Sequence, residues 1–427
     1  MGKKQNYAIP IIVMILLFGM ISFVTNLASP MGDILKNQFS IPNWQGTLGV
    51  FANFIAYALM GIPAGRMLQR RGYKTTALIA VAVGFIGVAV QALAGVAASF
   101  AVYLVGAFVA GFSMCLLNTV VNPMLNRLGG GGNKGNQLIQ FGGTFNSLCG
   151  TAVIVITGLL IPQGIKHATI SNAYPLMFAA MAIFAVAFVV ILMTKIPENE
   201  ESRQGSSEAL PLKGLLQYRH FVLGAIAIFI YVGVEVGTPN ILNKWLQNPE
   251  AGFFPEGVSA EAVAGSVTAF YWLLMLVGRL VGGLVGSKVS PRAMLGVVAS
   301  AAVLLVAVAI FIPAGIMVSF PGFNGAQGFG MNMIPLSAAL LVCVGLCTSV
   351  MWGGIFNLAV EGLGKYTERA SGLFMALVCG GGILPLLQNG IVDIKGLPGY
   401  QASYWVVVAG FAYILFYALF GSRQKGN

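Results

Sequence analysis

The stretch TTALIAVAVGFIGVAVQALAGVAASFAVYLVGAFVAGFSMCLLNTVVNPMLN, residues 75–126, holds 52 residues and no charged side chain. A helix that crosses a membrane needs about 20 apolar residues, so this run is long enough for two crossings with a tight turn near residues 95–99. Residues 293–360 form a second uncharged run, of 68 residues. A membrane β-barrel would show short alternating segments instead. The long runs therefore predict transmembrane helices.

The composition of the whole chain supports this prediction. Of its 427 residues, 57% are hydrophobic and 8% are charged, whereas soluble domains carry about 25% charged residues. The lipid bilayer is therefore the expected solvent. We predict an all-α integral membrane protein with twelve transmembrane helices, at about residues 8–30, 44–66, 75–96, 101–126, 137–161, 174–194, 219–243, 262–287, 293–313, 335–360, 369–392 and 401–421.

A charged segment in the middle of the chain divides these spans into two groups of six. We predict an N-terminal six-helix bundle at residues 1–194, a cytoplasmic linker at 195–218 and a C-terminal six-helix bundle at 219–427. Weak internal repeats relate span n to span n+6. In the first repeat, Asn122 and Asn357 each precede a Leu-Gly pair by the same spacing. In the second, a Gly-xxx-Gly pair is followed by arginine, both at Gly61–Arg71 and at Gly282–Arg292. Two parallel, pseudo-symmetric halves of six helices are the arrangement of the major facilitator fold.

The positions of lysine and arginine predict the orientation in the membrane. With both termini in the cytoplasm, 19 of the 23 basic residues face the cytoplasm, as the positive-inside rule requires. This accounts for the net charge of +11 through contact with anionic lipid, so no nucleic-acid partner is expected. We predict a bacterial inner membrane protein with several spans, which works as a monomer.

Several blocks of sequence resemble one family of transporters. They are Asn118-Thr-Val-Val-Asn122-Pro123, Gly143-Thr-Phe-Asn146-Ser147, Tyr231-Val-Gly-Val-Glu235, Gly278-Arg279, Gly354-Ile-Phe-Asn357 and Gly380-Gly-Gly-Ile383. Together they resemble the fucose–proton symporter family of sugar permeases, which belongs to the major facilitator superfamily. The resemblance covers nearly the whole chain and implies sugar transport coupled to a cation.

The chain departs from that family at positions where the resemblance implies function. Asp33 matches the carboxylate of the family's first span, whereas the carboxylate of its fourth span falls on Asn118, which cannot titrate. A glutamine of the family is Gly143 here. The segment Gly61–Lys74, between the second and third spans, keeps the basic character of the superfamily's signature loop but has Gly65 where the signature has an aspartate. The substrate contacts are therefore expected to differ from those for L-fucose.

Four of the twelve acidic residues lie within or at the ends of the predicted spans: Asp33, Glu235, Glu361 and Asp393. A charge in hydrocarbon is costly, which makes such residues candidates for function. Glu235, deep in the seventh span, either has a functional role, which is ion coupling, binding of sugar hydroxyls or gating, or is a structural partner of Lys244 or Arg279. Asp33 is either the protonatable coupling acid or a hydrated acid at a helix end.

Buried amides are the second polar signal. Amides donate and accept hydrogen bonds at once, which suits sugar hydroxyls, although they also join membrane helices. Trp352 could stack on a sugar ring. The candidates for substrate binding are Asn26, Asn118, Asn122, Asn146, Asn357, Gln388, Asn389 and Trp352. The candidates for gating or structural roles are Arg66, Arg71, Arg279, Glu361 and Arg369.

We predict a secondary active transporter that imports a hexose, deoxyhexose or related monosaccharide by cation symport through alternating access, with a proton favoured over sodium. No catalytic set and no metal-ligand cluster is evident in the sequence, so neither enzymatic activity nor a cofactor is expected. An exporter of drugs or metabolites with the same fold is the first alternative. A membrane scaffold or sensor that transports nothing is the second.

Overall fold

The computed structural model describes residues 7–39, 48–160, 169–198, 210–255, 257–324 and 328–424. Thirteen α-helices account for most of these residues: α1 (Ala8–Gln38), α2 (Leu48–Val96), α3 (Phe100–Leu128), α4 (Gly132–Leu160), α5 (Ile170–Met193), α6 (Arg219–Gln247), α7 (Ala260–Val285), α8 (Pro291–Phe311), α9 (Leu336–Thr348), α10 (Met351–Val360), α11 (Thr367–Leu377), α12 (Gly380–Lys395) and α13 (Leu397–Phe416). Short 3-10 helices cover Leu212–Gln217, Pro249–Ala251 and Gly364–Tyr366, and a π-helical turn, Tyr417–Gly421, follows α13.

These helices provide the twelve predicted crossings. Within the described residues, ten helical stretches are long and apolar enough to span a membrane. One of them, Phe51–Val96, has 46 residues, which is enough for two crossings at about 20 residues each. Helix α4, with 29 residues, is long enough for a further one. The all-α, twelve-span architecture is thus confirmed.

Large apolar side chains on the outside of the helices fit a lipid environment. Met193 is 80% exposed, Phe311 74% and Val297 70%. Apolar surface of this kind is rare on soluble monomers because water penalises it. Lipid removes that penalty.

The segment Gly61–Lys74, expected as a loop, is helical. Helix α2 continues through it and breaks only at Gly72, whose φ of 79° and ψ of 176° leave the helical region. Beyond the break, the carboxylate of Glu198 accepts hydrogen bonds from the backbone N–H groups of Tyr73 (2.7 Å) and Lys74 (3.1 Å). An acid that binds the first N–H groups of a helix acts as its cap. Glu198 therefore caps the second part of α2 from a position 125 residues away.

A β-hairpin lies where the sequence predicted only a loop between the ninth and tenth spans. Strands β1 (Met317–Phe323) and β2 (Phe329–Pro335) pair in antiparallel register, with Phe320 opposite Asn332. The Asn332 amide donates to the Gly322 carbonyl at 3.0 Å. The hairpin is a small addition to a helical protein.

The contacts divide the chain into two compact units. Unit 1 contains Met1–Tyr218 and Val360–Val378, and unit 2 contains Arg219–Ala359 and Cys379–Asn427. In unit 1, α1 packs on α4, and α2 packs on α3 and α5. In unit 2, α6 packs on α12, α7 on α9, and α8 on α13. Each unit thus pairs its first span with its fifth, its second with its fourth and its third with its sixth, which supports the internal repeat. The bundle boundaries at residues 194 and 219 stay predictions.

Helix α11 belongs to unit 1, where glycines bring it close to α2. A Cβ atom added at Gly65 would lie 3.0 Å from the Cα atom of Gly372 and from the carbonyl oxygen of Glu368. A Cβ atom added at Gly61 would lie 2.6 Å from the carbonyl oxygen of Gly372. Small residues four apart allow helix backbones to approach in this way. The start of α11 is therefore held beside Gly65 and its neighbour Arg66.

Candidate functional site

A proline opens the backbone of α6 next to its only acidic residue. Pro239 has no N–H group, so the carbonyl of Glu235, one turn earlier, has no helical partner. The hydroxyl of Tyr271, on α7, donates to that carbonyl at 3.1 Å. The sequence thus creates a free acceptor in the middle of a span, and the packing of α7 supplies its donor.

The Glu235 carboxylate binds two further groups. Its Oε1 atom accepts a hydrogen bond from the Tyr231 hydroxyl at 2.7 Å and lies 3.3 Å from Nη2 of Arg279. The Glu235 side chain is 14% exposed and that of Arg279 is 13% exposed. Glu235 lies 16 residues into α6, or about 24 Å at 1.5 Å per residue. Glu235 and Arg279 therefore form an ion pair that is largely shielded from solvent and far from either end of α6.

A break in the tenth span, between α9 and α10, completes this arrangement. The Tyr271 hydroxyl also lies 3.1 Å from Oγ1 of Thr348, the last residue of α9. Nε of Arg279 donates to the carbonyl of Ser349 at 3.4 Å, between α9 and α10. Cations are favourable at helix C-termini, where carbonyls lack partners. We call Tyr231, Glu235, Tyr271, Arg279 and Thr348 the Glu235 cluster.

An aromatic ring borders this cluster. The half-buried Trp352 lies in the first turn of α10, and its ring centroid is 6.3 Å from that of Tyr231. Because Tyr231 donates to Glu235, the indole lies one side chain away from the carboxylate. An apolar ring face beside a charged group can contact a sugar through its C–H groups and its hydroxyls together.

Gln388, on α12, contacts the opposite face of α6. A Cβ atom added at Gly237 would collide with its Oε1 atom. Gly237 lies two residues, or about 200° of helical turn, beyond Glu235. Gln388 is fully buried, and neither its amide oxygen nor its nitrogen has a hydrogen-bond partner among the described residues. Buried amides are normally paired, so Gln388 is a polar group suited to a ligand.

The other predicted amides of unit 2 have different surroundings. Asn389 accepts a hydrogen bond from Lys244 at 2.8 Å and donates to the Pro385 carbonyl at 2.6 Å. Asn357 is buried on α10. Lys244, one of the two predicted partners of Glu235, is thus bonded to Asn389, whereas Arg279 is the partner that the structure places on Glu235.

In unit 1, Asn118 and Asn122 form a short chain of hydrogen bonds along α3. The Asn118 amide donates to the Tyr57 hydroxyl at 2.6 Å and to the Met114 carbonyl at 3.2 Å. Asn122 donates to the Asn118 carbonyl at 2.9 Å. Next to them, Pro123 leaves the Thr119 carbonyl without a helical partner, and the Ser371 hydroxyl of α11 donates to it at 3.0 Å. A proline-freed carbonyl satisfied by a hydroxyl from another helix thus occurs in both units.

Asn26 and Asn146 lie where α1 packs on α4. Asn26 donates to the Ser22 carbonyl at 2.8 Å, and a Cβ atom at Gly150 would lie 2.8 Å from its nitrogen. Asn146 donates to the Phe18 carbonyl at 2.8 Å and so joins α4 to α1. Residue 33 belongs to α1, but the side chain of Asp33 lies outside the described part of the structure.

Helices α1, α4 and α5 also line a cavity of about 440 Å³, whose walls are apolar and include Met20, Phe145 and Val186. Sugar recognition needs convergent polar groups. This cavity fits hydrocarbon, so we do not assign it to substrate.

One buried acid at the start of α11, Glu368, was not among the acids that the sequence placed in or at the ends of spans. Glu368 is 1% exposed and accepts a hydrogen bond from the Tyr73 hydroxyl at 3.1 Å. The predicted eleventh span began one residue later, at 369, and so left Glu368 in a loop. Arg369 is buried, whereas Arg66, Arg71 and Glu361 are exposed. Their predicted gating roles stay predictions.

No group of three or more His, Cys, Asp or Glu side chains that could hold a metal is present in the described ranges. The structure brings Glu235 and Arg279 together, and likewise Asn118 and Asn122. Tyr231 could have been found in the sequence, since it precedes Glu235 by one helical turn. Tyr271 and Thr348 could not, because only the packing of three helices brings them to Glu235.

Comparisons with known proteins agree with this architecture. The chain is 28% identical to the glucose/galactose transporter of Brucella abortus (strain 2308), covering 99% of this chain and 96% of that protein. It is 24% identical to the L-fucose-proton symporter of Escherichia coli (strain K12), covering 100% and 96%. The crystal structure of FucP, a major facilitator transporter in the outward conformation, superposes with a TM-score of 0.82 at 21% identity, covering 98% of this chain and 100% of that chain.

A sequence profile described as Major Facilitator Superfamily matches residues 11–386. That match covers most of the chain and includes the helices that carry the Glu235 cluster. The chain belongs to the Major Facilitator Superfamily.

Proposed function

We propose that this protein imports a monosaccharide by cation symport through alternating access in a bacterial inner membrane, with both termini in the cytoplasm. The substrate is a hexose, a deoxyhexose or a related sugar. A proton is favoured over sodium as the coupling ion. The protein is a transporter, not an enzyme.

One observation carries the proposal: the similarity to bacterial sugar transporters extends along the whole chain and includes proteins named for different sugars. The relatives are a glucose/galactose transporter and an L-fucose-proton symporter, each matched over 96% of its length. Similarity along the full length to transporters of different sugars supports a common transport mechanism with a binding site adapted to each sugar.

The Glu235 cluster supports a specific coupling step. Arg279 and Tyr231 stabilise the charged form of Glu235, so a proton that binds Glu235 must displace the ion pair. Loss of that charge releases Arg279, which then needs another partner. A buried cation without a counter-charge is costly, so proton binding and rearrangement of α7 against α6 are linked. Asp33 remains a second candidate for coupling.

The surroundings of the cluster favour a neutral, hydroxylated substrate. Trp352 offers an apolar ring face, and the unpaired amide of Gln388 can donate and accept at once. Asn118 and Asn146 supply similar groups in unit 1. A cationic drug would require unpaired acids, whereas the described acid in the middle of a span, Glu235, is already paired.

Transport by purified protein in proteoliposomes tests the proposal. Counterflow of labelled glucose, galactose and fucose reports exchange, and uphill uptake under an imposed proton or sodium gradient reports coupling. We expect wild-type protein to exchange at least one of these sugars and to accumulate it under the proton gradient. Absence of exchange for every monosaccharide tested would contradict the sugar assignment.

The variant Glu235→Gln separates coupling from substrate binding. Since glutamine cannot titrate, we expect uphill uptake to fall by about tenfold or more, a change of at least 1.4 kcal/mol, while counterflow continues. Glu250→Gln, which removes an exposed acid from the 3-10 helix Pro249–Ala251, is the matched control. If the Glu235→Gln variant accumulates sugar as fully as the wild-type protein, Glu235 has a structural role only and Asp33 becomes the candidate for ion coupling.

A further inference from the structure

Arg369 is a buried cation in which two of the three guanidinium nitrogens lack hydrogen-bond partners among the described residues. The residue is 7% exposed, and its Nε and Nη1 atoms have no hydrogen-bond partner among the described residues. A guanidinium is always charged and presents its donors in a planar fork. Donors of this kind are seldom left unpaired in a folded protein, because burial removes their water.

Two more arginines lie close enough to act on Arg369 electrostatically. Arg66 and Arg70 are one turn apart on α2, both are exposed, and the charges of both act on Arg369. Helices α2 and α11 approach closely at Gly65. A Cβ atom added there would lie 3.0 Å from the Glu368 carbonyl oxygen and 3.2 Å from the Arg369 carbonyl oxygen. Three like charges repel one another, so the arrangement favours an anion between them.

Two acids of unit 1 within the described ranges bind other groups. Glu368 accepts from the Tyr73 hydroxyl, and Glu198 accepts from the backbone of Tyr73 and Lys74, both beyond the break at Gly72. Gly65 occupies the position where the superfamily's signature has an aspartate, so α2 provides no acid there.

We propose that Arg66, Arg70 and Arg369 bind a phosphate group. Guanidinium forks match phosphate oxygens in pairs, so one buried arginine and two exposed ones can supply several donors to the same phosphate. The phosphate belongs either to an anionic lipid headgroup or to a soluble phosphate. Bound there, it joins α2 to α11 within unit 1 and stabilises that contact.

Thermal unfolding of purified protein tests the site without any transport assay. In detergent, inorganic phosphate is titrated against chloride at matched ionic strength. In vesicles, phosphatidylcholine alone is compared with phosphatidylcholine containing phosphatidylglycerol. Stabilisation by inorganic phosphate indicates a site for soluble phosphate, and stabilisation by phosphatidylglycerol alone indicates a lipid headgroup. Either result supports a phosphate site, and stabilisation by neither would overturn the proposal.

Variants of the two exposed arginines make the test specific. Arg66→Gln and Arg70→Gln each remove one charge-assisted hydrogen-bonding group, and we expect each to weaken apparent phosphate affinity about tenfold. The double variant Lys213→Gln/Lys288→Gln removes two charges from exposed positions elsewhere and is the matched control. Equal weakening in the control and in Arg66→Gln/Arg70→Gln would overturn the site and leave only a general effect of charge.

Discussion

The polar side chains described in the middle of the spans of unit 1 are neutral and mostly bond within their own helix, whereas those of unit 2 include a charged pair that joins two helices. Asn26 and Asn122 each donate to a carbonyl one turn earlier. Glu235 and Arg279 pair across α6 and α7. An amide bonded to its own helix can turn to a new partner at little cost, but a buried ion pair cannot open unless another charge replaces it. Under the proposed mechanism, unit 1 is therefore suited to adapt to substrate hydroxyls, and unit 2 to hold the ion-dependent step.

Removal of one charge from unit 2 should produce the largest effect on stability. Arg279→Met leaves Glu235 with Tyr231 alone, and we expect the free energy of unfolding to fall by about 3 kcal/mol, since breaking a buried ion pair typically costs this much. The double variant Glu235→Gln/Arg279→Met should recover most of the loss, because no unpaired charge remains. Denaturation in detergent measures both. A double variant no more stable than Arg279→Met would show that the pair is not a coupled unit.

The two proline-freed carbonyls allow a direct comparison of the units at lower energy. Tyr271→Phe removes the donor to the Glu235 carbonyl, and we expect a loss of about 1 kcal/mol. In a Pro239→Ala background the new N–H group at residue 239 can bond that carbonyl, so the same substitution should cost less. An unchanged cost would mean that Tyr271 acts through Thr348 instead.

The matched experiment in unit 1 uses Ser371→Ala with and without Pro123→Ala. We expect the same pattern, because the Ser371 hydroxyl donates to the Thr119 carbonyl in an equivalent way. A cost for Ser371→Ala that is independent of residue 123 would limit the parallel between the units.

The neutral network of unit 1 should show the smallest change in stability. Asn118→Ala removes the hydrogen bonds to Tyr57 and Met114, and we expect a loss of about 0.6 kcal/mol, the average for hydrogen bonds between membrane helices. The KM for sugar should rise more than this loss suggests if Asn118 also binds substrate. Asn172→Ala, at the exposed start of α5, is a control in the same unit. A KM equal to that of the control would assign Asn118 to structure alone.

The spans could be predicted from the sequence because a membrane crossing needs only a long uncharged run, and that is a local property. The depth of Glu235 followed directly from its position in such a run. The helical course of Gly61–Lys74 could not be predicted, because its glycines and arginines are typical of a loop and the cap that organises it comes from Glu198. The hairpin Met317–Pro335 lies within an uncharged run, which hides its strands between two spans.

The candidate site was predicted only in part, for a similar reason. Glu235 and its two possible basic partners were visible in the sequence, but the choice of Arg279 over Lys244 depends on how α7 and α12 pack on α6. Tyr271 lies 36 residues from Glu235, and no sequence spacing relates the two. Gln388 was recognised as a buried amide, although its lack of a partner is a property of the packed structure.

The break at Gly72 has a consequence for how the chain is made. The second part of α2 emerges from the ribosome well before Glu198, yet its first two N–H groups beyond the break bond to that residue. The third span therefore stays uncapped while the fourth, fifth and sixth are synthesised and inserted. Its final form is reached only after Glu198 has been synthesised, so a residue of the predicted linker completes the third span.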